Sequence, residues 1–320
     1  MMKRTFIVVS TSLALGLLLF GFFIEGPWSL GYSWIFDWGT SFLASRIRDY
    51  LGQPVFLAAL MLTLILERII PADKQQTVFS RSFFQDFVWF LYEPILHTLI
   101  LLVFVSWMRD VYAAHFSYLT VRQIAEWPNW ARFVFGALSL DFFYWLQHYV
   151  MHKVPWLWQL HTVHHSQKHL NFFSDYRYHI LEYIVRDIIV VIPFLILEVN
   201  PPTIVLYSII LRTYTRFYHG NLRTNLGLPK YLMVTPQSHR IHHSKLDEHR
   251  DKNFGSVFAI WDHLFRTQYY GFDEYPETGI QDEKFPNESD GTLAKLLIMP
   301  LLHMLYPLKV IRRSITRGKA

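Results

Sequence analysis

Two five-residue stretches, His161-Thr-Val-His164-His165 and His239-Arg-Ile-His242-His243, carry the same histidine pattern more than seventy residues apart, and His148-Tyr-Val-Met-His152 stands just upstream of the first. Residues three and four apart on an α-helix are neighbours on one face, so each stretch predicts a helix that presents its imidazoles together. Eight imidazoles on three helical faces then surround one point. Histidine makes up 16 of the 320 residues, and at that frequency a given H-x-x-H-H pattern arises by chance roughly 0.04 times in this length. Two copies beside an H-x-x-x-H therefore call for a chemical explanation. Imidazole suits iron, copper, zinc and nickel, whereas magnesium and calcium prefer oxygen. Eight ligands exceed what one ion accepts, which makes two ions the simplest stoichiometry. A structural zinc closes with four ligands and a catalytic zinc needs three, so zinc accounts for too few of these histidines.

The solvent expected around those helices is a membrane. Only 17% of the residues are charged while 52% are hydrophobic and 18% aromatic, against about 25% charged in a typical soluble protein. Residues 6–24 carry no charge behind Lys3 and Arg4, and they read as an uncleaved anchor. The run 55–66 is shorter and closes on Glu67, Arg68 and Pro71, so it needs tilt or polar ends to span. Residues 87–107 are long enough but contain Glu93, Pro94 and His97, which predicts a kinked, partly buried helix. The run 131–150 begins as a membrane helix and ends at the first histidine pair. Runs 188–197 and 203–211, parted by Asn200-Pro201-Pro202, predict a helical hairpin or a re-entrant pair. A last apolar piece, 293–308, leads into Lys309, Arg312, Arg313, Arg317 and Lys319, expected on an anionic cytosolic leaflet.

The expected fold is thus an all-α integral membrane protein: a transmembrane helical bundle under a cytosolic, histidine-rich helical cap. Lys3 and Arg4, then Arg68, Lys74 and Arg81, favour a cytosolic N-terminus, with Arg46, Arg48, Arg109 and Arg122 as opposing charges. The net charge of +5 comes without a nucleic-acid-binding fingerprint, so lipid headgroups and not nucleic acid are the expected anionic partner. The chain has no cysteine, which excludes disulfides, iron–sulfur clusters and cysteine nucleophiles.

Asp141-x6-His148-x3-His152, Leu157-Trp158-x2-His161-x2-His164-His165-Ser166, His239-Arg240-x-His242-His243, Asp251-x-Asn253-Phe254-Gly255 and Trp261-Asp262-x-Leu264-Phe265-x-Thr267, in that order, resemble the fatty acid hydroxylase/sterol desaturase superfamily. The resemblance runs from about Asp141 to Thr267. It implies a non-haem di-iron centre that uses dioxygen and two electrons, and it adds His219, in Phe217-Tyr218-His219-Gly220-Asn221, to the ligands. The implied metal set is His148, His152, His161, His164, His165, His219, His239, His242 and His243. His179 resembles a further recurring segment and is expected to support the ligands. Asp141 and Asp262 are candidates either for accepting the second N–H of a ligand histidine or for plain salt bridges. His97, His115, His169, His249, His263 and His303 are expected to be ordinary core or surface histidines. Residues 1–130 form an N-terminal transmembrane region, 131–270 the catalytic region with its membrane hairpin at 188–211, and 271–320 a C-terminal region with an apolar helix and basic tail.

The implied activity is hydroxylation or desaturation of a C–H bond in a fatty acyl, sterol or related lipid drawn from the bilayer. No electron-transfer signature is present in the sequence, so a separate donor of cytochrome b5, ferredoxin or reductase type is expected. Zinc is expected to replace iron in some recombinant material. A tetrahydrobiopterin-dependent ether-lipid (alkylglycerol) monooxygenase of the same superfamily is the first alternative. A zinc hydrolase would need an H-E-x-x-H glutamate, which is missing, and a non-catalytic metal-binding or metal-transporting protein would place histidines along its spans. A multi-pass protein with its site on the cytosolic face follows. The bacterial inner membrane is favoured over the endoplasmic reticulum, because Thr316-Arg317-Gly318-Lys319-Ala320 carries no retention signal of the Lys-Asp-Glu-Leu type.

Overall fold

Proline, left-handed caps and charge break the apolar runs of the chain into helices. A computed structural model describes residues 54–199, 201–286 and 292–317. The expected anchor at 6–24 and the charges Lys3, Arg4, Arg46 and Arg48 lie outside the described residues. Within them the chain is all-helical and forms no strand. Helix α1 covers Pro54–Ile69, and α2 (Arg81–Ile100) continues through a π turn at Leu101–Val105 into α3 (Ser106–His115). Next come α4 (Asn129–Lys153), α5 (Pro155–His165), α6 (Ile180–Leu197), α7 (Pro201–Tyr218), α8 (Pro236–His242), α9 (Ile260–Leu264) and α10 (Leu293–Arg317).

Helix α4 is the hub, with α5, α6 and α7 packed against it, and α10 lies on α5 and α2. Its 25 residues extend about 37 Å. One residue, Val154, separates α4 from α5. Val154 precedes Pro155 and is extended, with φ −96° and ψ 115°, because the proline ring clashes with a helical conformation at the residue before it. Pro155 itself opens α5, where its fixed φ and missing N–H cost nothing. The chain therefore turns sharply between the first and second histidine clusters.

The runs 188–197 and 203–211 lie within α6 and α7, each of 18 residues and longer than the apolar run it contains. The extra turns are polar and face protein: Glu182 and Asp187 on α6 and Arg216 on α7 are buried. Glu198 caps α6 in the left-handed region at φ 49°, and α7 starts on Pro201-Pro202. Both helices pack on α4.

By length and mean hydropathy, one segment among the described residues is apolar enough to cross a membrane, Ala294–Thr316 within α10. The runs at 87–107 and 131–150 fall short because polar residues are built into α2 and α4. Those residues are turned inward: Gln85, Asp86, Glu93, His97, Asp141 and Gln147 are all buried. The outward faces are apolar, with Leu62 and Ile65 on α1, Ile188 on α6, and Leu206 and Ile209 on α7 exposed. A polar interior behind an apolar exterior suits a lipid solvent.

An aromatic core of Phe56, Phe83, Phe90, Phe172, Phe173 and Tyr176 joins α1 and α2 to the loop that follows α5. Asp86 of α2 pins that loop, accepting hydrogen bonds from Gln167, Asn171 and Ser174 at 2.5–2.7 Å and from the buried Arg177 guanidinium. The C-terminal end of α5, where two of its histidines sit, is fixed by this hub.

Candidate metal centre

Each histidine reaches the centre from an element whose end is locally defined. His148 and His152 occupy the last turns of α4, and the Val154-Pro155 turn brings His161, His164 and His165 of α5 back against them. His219 follows the last residue of α7. Helix α8 is only seven residues long, and a reciprocal cap starts it: Thr235 Oγ1 accepts from the Ser238 N–H at 3.0 Å while Ser238 Oγ accepts from the Thr235 N–H at 2.9 Å. That capping box satisfies two orphan donors of a helix too short to be stable alone, and it sets His239, His242 and His243.

The nine histidines form two groups. His148, His152, His161, His165 and His242 each bring a ring nitrogen within 4.8 Å of the others, and His164, His219, His239 and His243 do the same beside them. The groups adjoin, since His165 stacks on His243 with ring centroids 4.4 Å apart. Within the second group, Nε2 of His239 lies 2.9 Å from Nε2 of His219 and 3.0 Å from Nε2 of His243. In the first, His152 Nε2 and His165 Nε2 are 3.1 Å apart. Two nitrogens bound at right angles to one ion at about 2.05 Å would be separated by about 2.9 Å. The donor set fits a metal in a second respect. Nε2 of His148, His161 and His242 is buried without a hydrogen-bond partner, while the opposite nitrogen of each is held: Nδ1 of His148 by the Phe254 carbonyl at 3.0 Å, of His242 by the Lys252 carbonyl at 2.8 Å, and of His161 by Glu182 at 2.7 Å. An N–H fixed to an acceptor on one side and a bare nitrogen on the other is the arrangement of a metal-ligating imidazole.

Protonation favours the same role. Burial pushes His152, His164, His165, His239 and His243 well below the usual histidine value, and neighbouring imidazoles add to the effect. Burial takes His242 down to about 3. Neutral imidazoles keep a lone pair for a metal.

The three expected supporting residues lie one step further out. Asp141 accepts from Tyr207 Oη at 2.6 Å, Trp261 Nε1 at 2.8 Å and the backbone N–H of Val257 and Phe258. It thus ties α4 to α7 and to the segment leading into α9. Asp262 accepts from Trp145 Nε1, Thr267 Oγ1 and the N–H of Phe254 and Gly255, so it shapes the loop whose Phe254 carbonyl holds His148. A side chain at Gly255 would stand 2.8 Å from the Phe258 carbonyl oxygen, so the loop closes around Asp262 only with glycine there. His179 caps α6: its Nδ1 accepts from the Leu181 N–H at 3.1 Å and its Nε2–H donates to the Met304 carbonyl of α10 at 2.8 Å. None of the three bonds a clustered histidine.

The carboxylates that do approach these rings were not among the expected supports, although Asp251 stands in one of the motifs quoted above. Glu182 is buried against His161, Asp251 lies 3.5 Å from His152 Nδ1, and Asp175 lies 3.8 Å from His219 Nδ1. Glu182 had one legible signal, a carboxylate in the first turn of a largely apolar helix. Among the other histidines, His97, His249 and His303 are buried. His249 bonds Ser244 Oγ at 2.9 Å and lies 3.3 Å from Glu274.

A cavity of about 100 Å³ opens beside the histidines, and His148, His161, His164, His219 and His239 line it together with Glu93, Leu211 and Arg212. Tyr178 stacks on His164 and Tyr218 on His219, at centroid distances of 5.1 and 5.2 Å, and both tyrosines line the space. A cavity this small against a metal-competent cluster accommodates part of a substrate, not a whole lipid.

Residues 133–267 match the family model for fatty acid hydroxylase. An ornithine lipid hydroxylase of Rhizobium tropici is 25% identical over 224 residues, covering 67% of this chain and 65% of the relative. Alkylglycerol monooxygenases of Caenorhabditis elegans and Homo sapiens are 31% and 32% identical over 155 and 130 residues, covering 45% and 41% of this chain. The matches span 30% and 29% of those two relatives' own lengths. No solved structure matches.

Proposed function

The chain belongs to the fatty acid hydroxylase superfamily, and from that premise we propose that it is a membrane-bound oxygenase that hydroxylates or desaturates a C–H bond of a lipid with dioxygen and external electrons. The observation that carries the reading is the pair of histidine groups, five and four strong, inside the matched region. We assign His148, His152, His161, His165 and His242 to one iron and His164, His219, His239 and His243 to the other. When bound, two irons supply the reduction of dioxygen and the oxidising power to break an unactivated C–H bond.

The protein's own share is placement. Glu182 and the carbonyls of Phe254 and Lys252 fix the rotation and tautomer of three rings. Burial keeps His152, His164, His165, His239, His242 and His243 neutral and excludes bulk water, and the cavity holds the target carbon beside the clustered histidines. In this reading the cap is cytosolic, where a separate donor delivers electrons, and the lipid arrives from the bilayer past the apolar outer faces of α6 and α7.

The test is purified protein in lipid nanodiscs, assayed for metal by elemental analysis and for oxygen uptake with added lipid and reductant. Two irons per chain and lipid-dependent uptake are expected. Full activity with zinc, or oxygen uptake indifferent to lipid, would reject the reading. A narrower reading has its own support: two of the relatives above are alkylglycerol monooxygenases. Turnover of an alkylglycerol that requires tetrahydrobiopterin, with no turnover on ferredoxin or cytochrome b5, would select it.

A further inference from the structure

Glu93 lies in the middle of α2, 5% exposed, within a run apolar enough to be read as a membrane segment. Its Oε1 is 3.4 Å from Nδ1 of His97 and 3.8 Å from Arg212. Its Oε2 is buried and has no hydrogen-bond partner. A carboxylate oxygen left bare in a low-dielectric setting costs free energy that a donor would recover. Glu93 also lines the cavity that His148, His161 and His164 line, so the missing donor has a place to stand. Oε2 of Glu182, on the wall of the same cavity, is likewise buried and unpartnered. At roughly 10–15 Å³ for each water-sized group, the space of about 100 Å³ holds on the order of seven to ten such groups.

We infer that Glu93 anchors a hydrogen-bond-donating polar group of the lipid substrate, a hydroxyl or an ammonium, and thereby sets which carbon lies at the histidines. The inference rests on the lipid-oxygenase reading. Because the cavity is small, the oxidised carbon lies within a few bonds of that polar group and not far down an acyl chain. Arg212, 3.8 Å from Oε1, balances the carboxylate charge and leaves Oε2 for a donor.

The experiment measures binding by calorimetric titration of the purified holoenzyme in phosphatidylcholine nanodiscs, whose headgroups donate no hydrogen bond. Two probe pairs are used: hexadecylglycerol with its di-O-methyl ether, and hexadecylammonium with hexadecyltrimethylammonium. One hydrogen bond to a charged group corresponds to about tenfold or more in affinity, so the donor-bearing member of at least one pair is expected to bind about tenfold tighter. Glu93→Ala should erase that preference. Glu93→Gln, which keeps an acceptor and loses the charge, should retain the preference for a hydroxyl and lose it for an ammonium. Equal binding within both pairs, or a preference that survives in Glu93→Ala, would overturn the anchor. Since binding is read without turnover, failure of the anchor is distinguishable from failure of the oxygenase reading, which would appear as absent oxidation of every lipid.

Discussion

Histidine supplies the donors of this site, but the residues that aim the rings decide whether a metal stays. Glu182 meets His161 at 2.7 Å with both side chains buried, and support of this kind is worth roughly 10- to 100-fold in metal affinity or activity. Glu182→Gln keeps the shape but loses the charge that fixes the tautomer. It is expected to weaken iron retention by that factor, measured as iron released against a chelator series, while the thermal unfolding temperature moves little. Retention unchanged within twofold would remove Glu182 from the supporting role. Acid offers a second test. The folded-state values of His152, His164, His165, His239, His242 and His243 lie below the ordinary 6.5. As pH falls below 6.5 the unfolded chain takes up protons that the folded chain refuses, so stability present above that value is lost on acidification. For His242 the loss continues towards pH 3, where the folded ring titrates. Metal-free protein should therefore melt at progressively lower temperature from pH 6.5 downward, a slope that six alanines at these positions would flatten.

At the scale of elements, the short helix α8 is the weakest support of the centre. It carries His239 and His242 and relies on the Thr235–Ser238 cap. Losing a side-chain cap costs about 1 kcal/mol, and here the loss falls on a helix too short to compensate. Thr235→Val is expected to lower the unfolding temperature by a few degrees and to halve bound iron, since the second group takes two of its four ligands, His239 and His243, from α8 and the residue that follows it, and the first group only His242 of its five. Equal loss from both groups would show that they fold as one unit. The elements were legible in the sequence where chemistry and periodicity coincide: i, i+3, i+4 spacing marked the histidine helices, and Asn200-Pro201-Pro202 marked the break between α6 and α7. The wiring between elements was not. His179 resembles a recurring family segment and was expected to support the ligands, yet it caps α6 and reaches α10 through Met304, a partner 125 residues away that no local pattern announces. Asp141 is costly in an apolar helix and needed partners, but the sequence could not reveal that those partners are Tyr207, Trp261 and two backbone N–H groups. The long polar ends of α6 and α7 were hidden for a related reason, because hydropathy cannot tell a polar residue that faces protein from one that ends a span.

For the molecule as a whole, the polar interior of α2 and α4 and the apolar outer faces of α1, α6 and α7 predict an orientation and a route for substrate. The native chain has no cysteine, so a single introduced thiol reports cleanly. Leu228→Cys, at a site 83% exposed, should react with a membrane-impermeant maleimide only from the cytosolic side, and a cysteine at Trp28 only from the other. The reverse pattern would invert the proposed orientation and deny the centre its cytosolic donors. The route for substrate depends on where the cavity meets apolar surface. Leu211 lines the cavity and packs with Leu140 of α4 and Tyr207 of α7, while Leu206, Ile209 and Ile210 on the same helix are exposed. A lipid moving in from the bilayer would pass this side chain, whereas a water-soluble substrate would gain nothing from an access path between apolar helices. Leu211→Trp adds bulk to a space of about 100 Å³ without touching a histidine. Iron content should stay constant, which serves as the folding control, while the oxidised position shifts or the KM for lipid rises about tenfold. Mass spectrometry of the extracted lipids reads the position directly. An unchanged product at unchanged KM, or equal turnover of a soluble short-chain analogue with and without the bilayer, would refute access from the membrane.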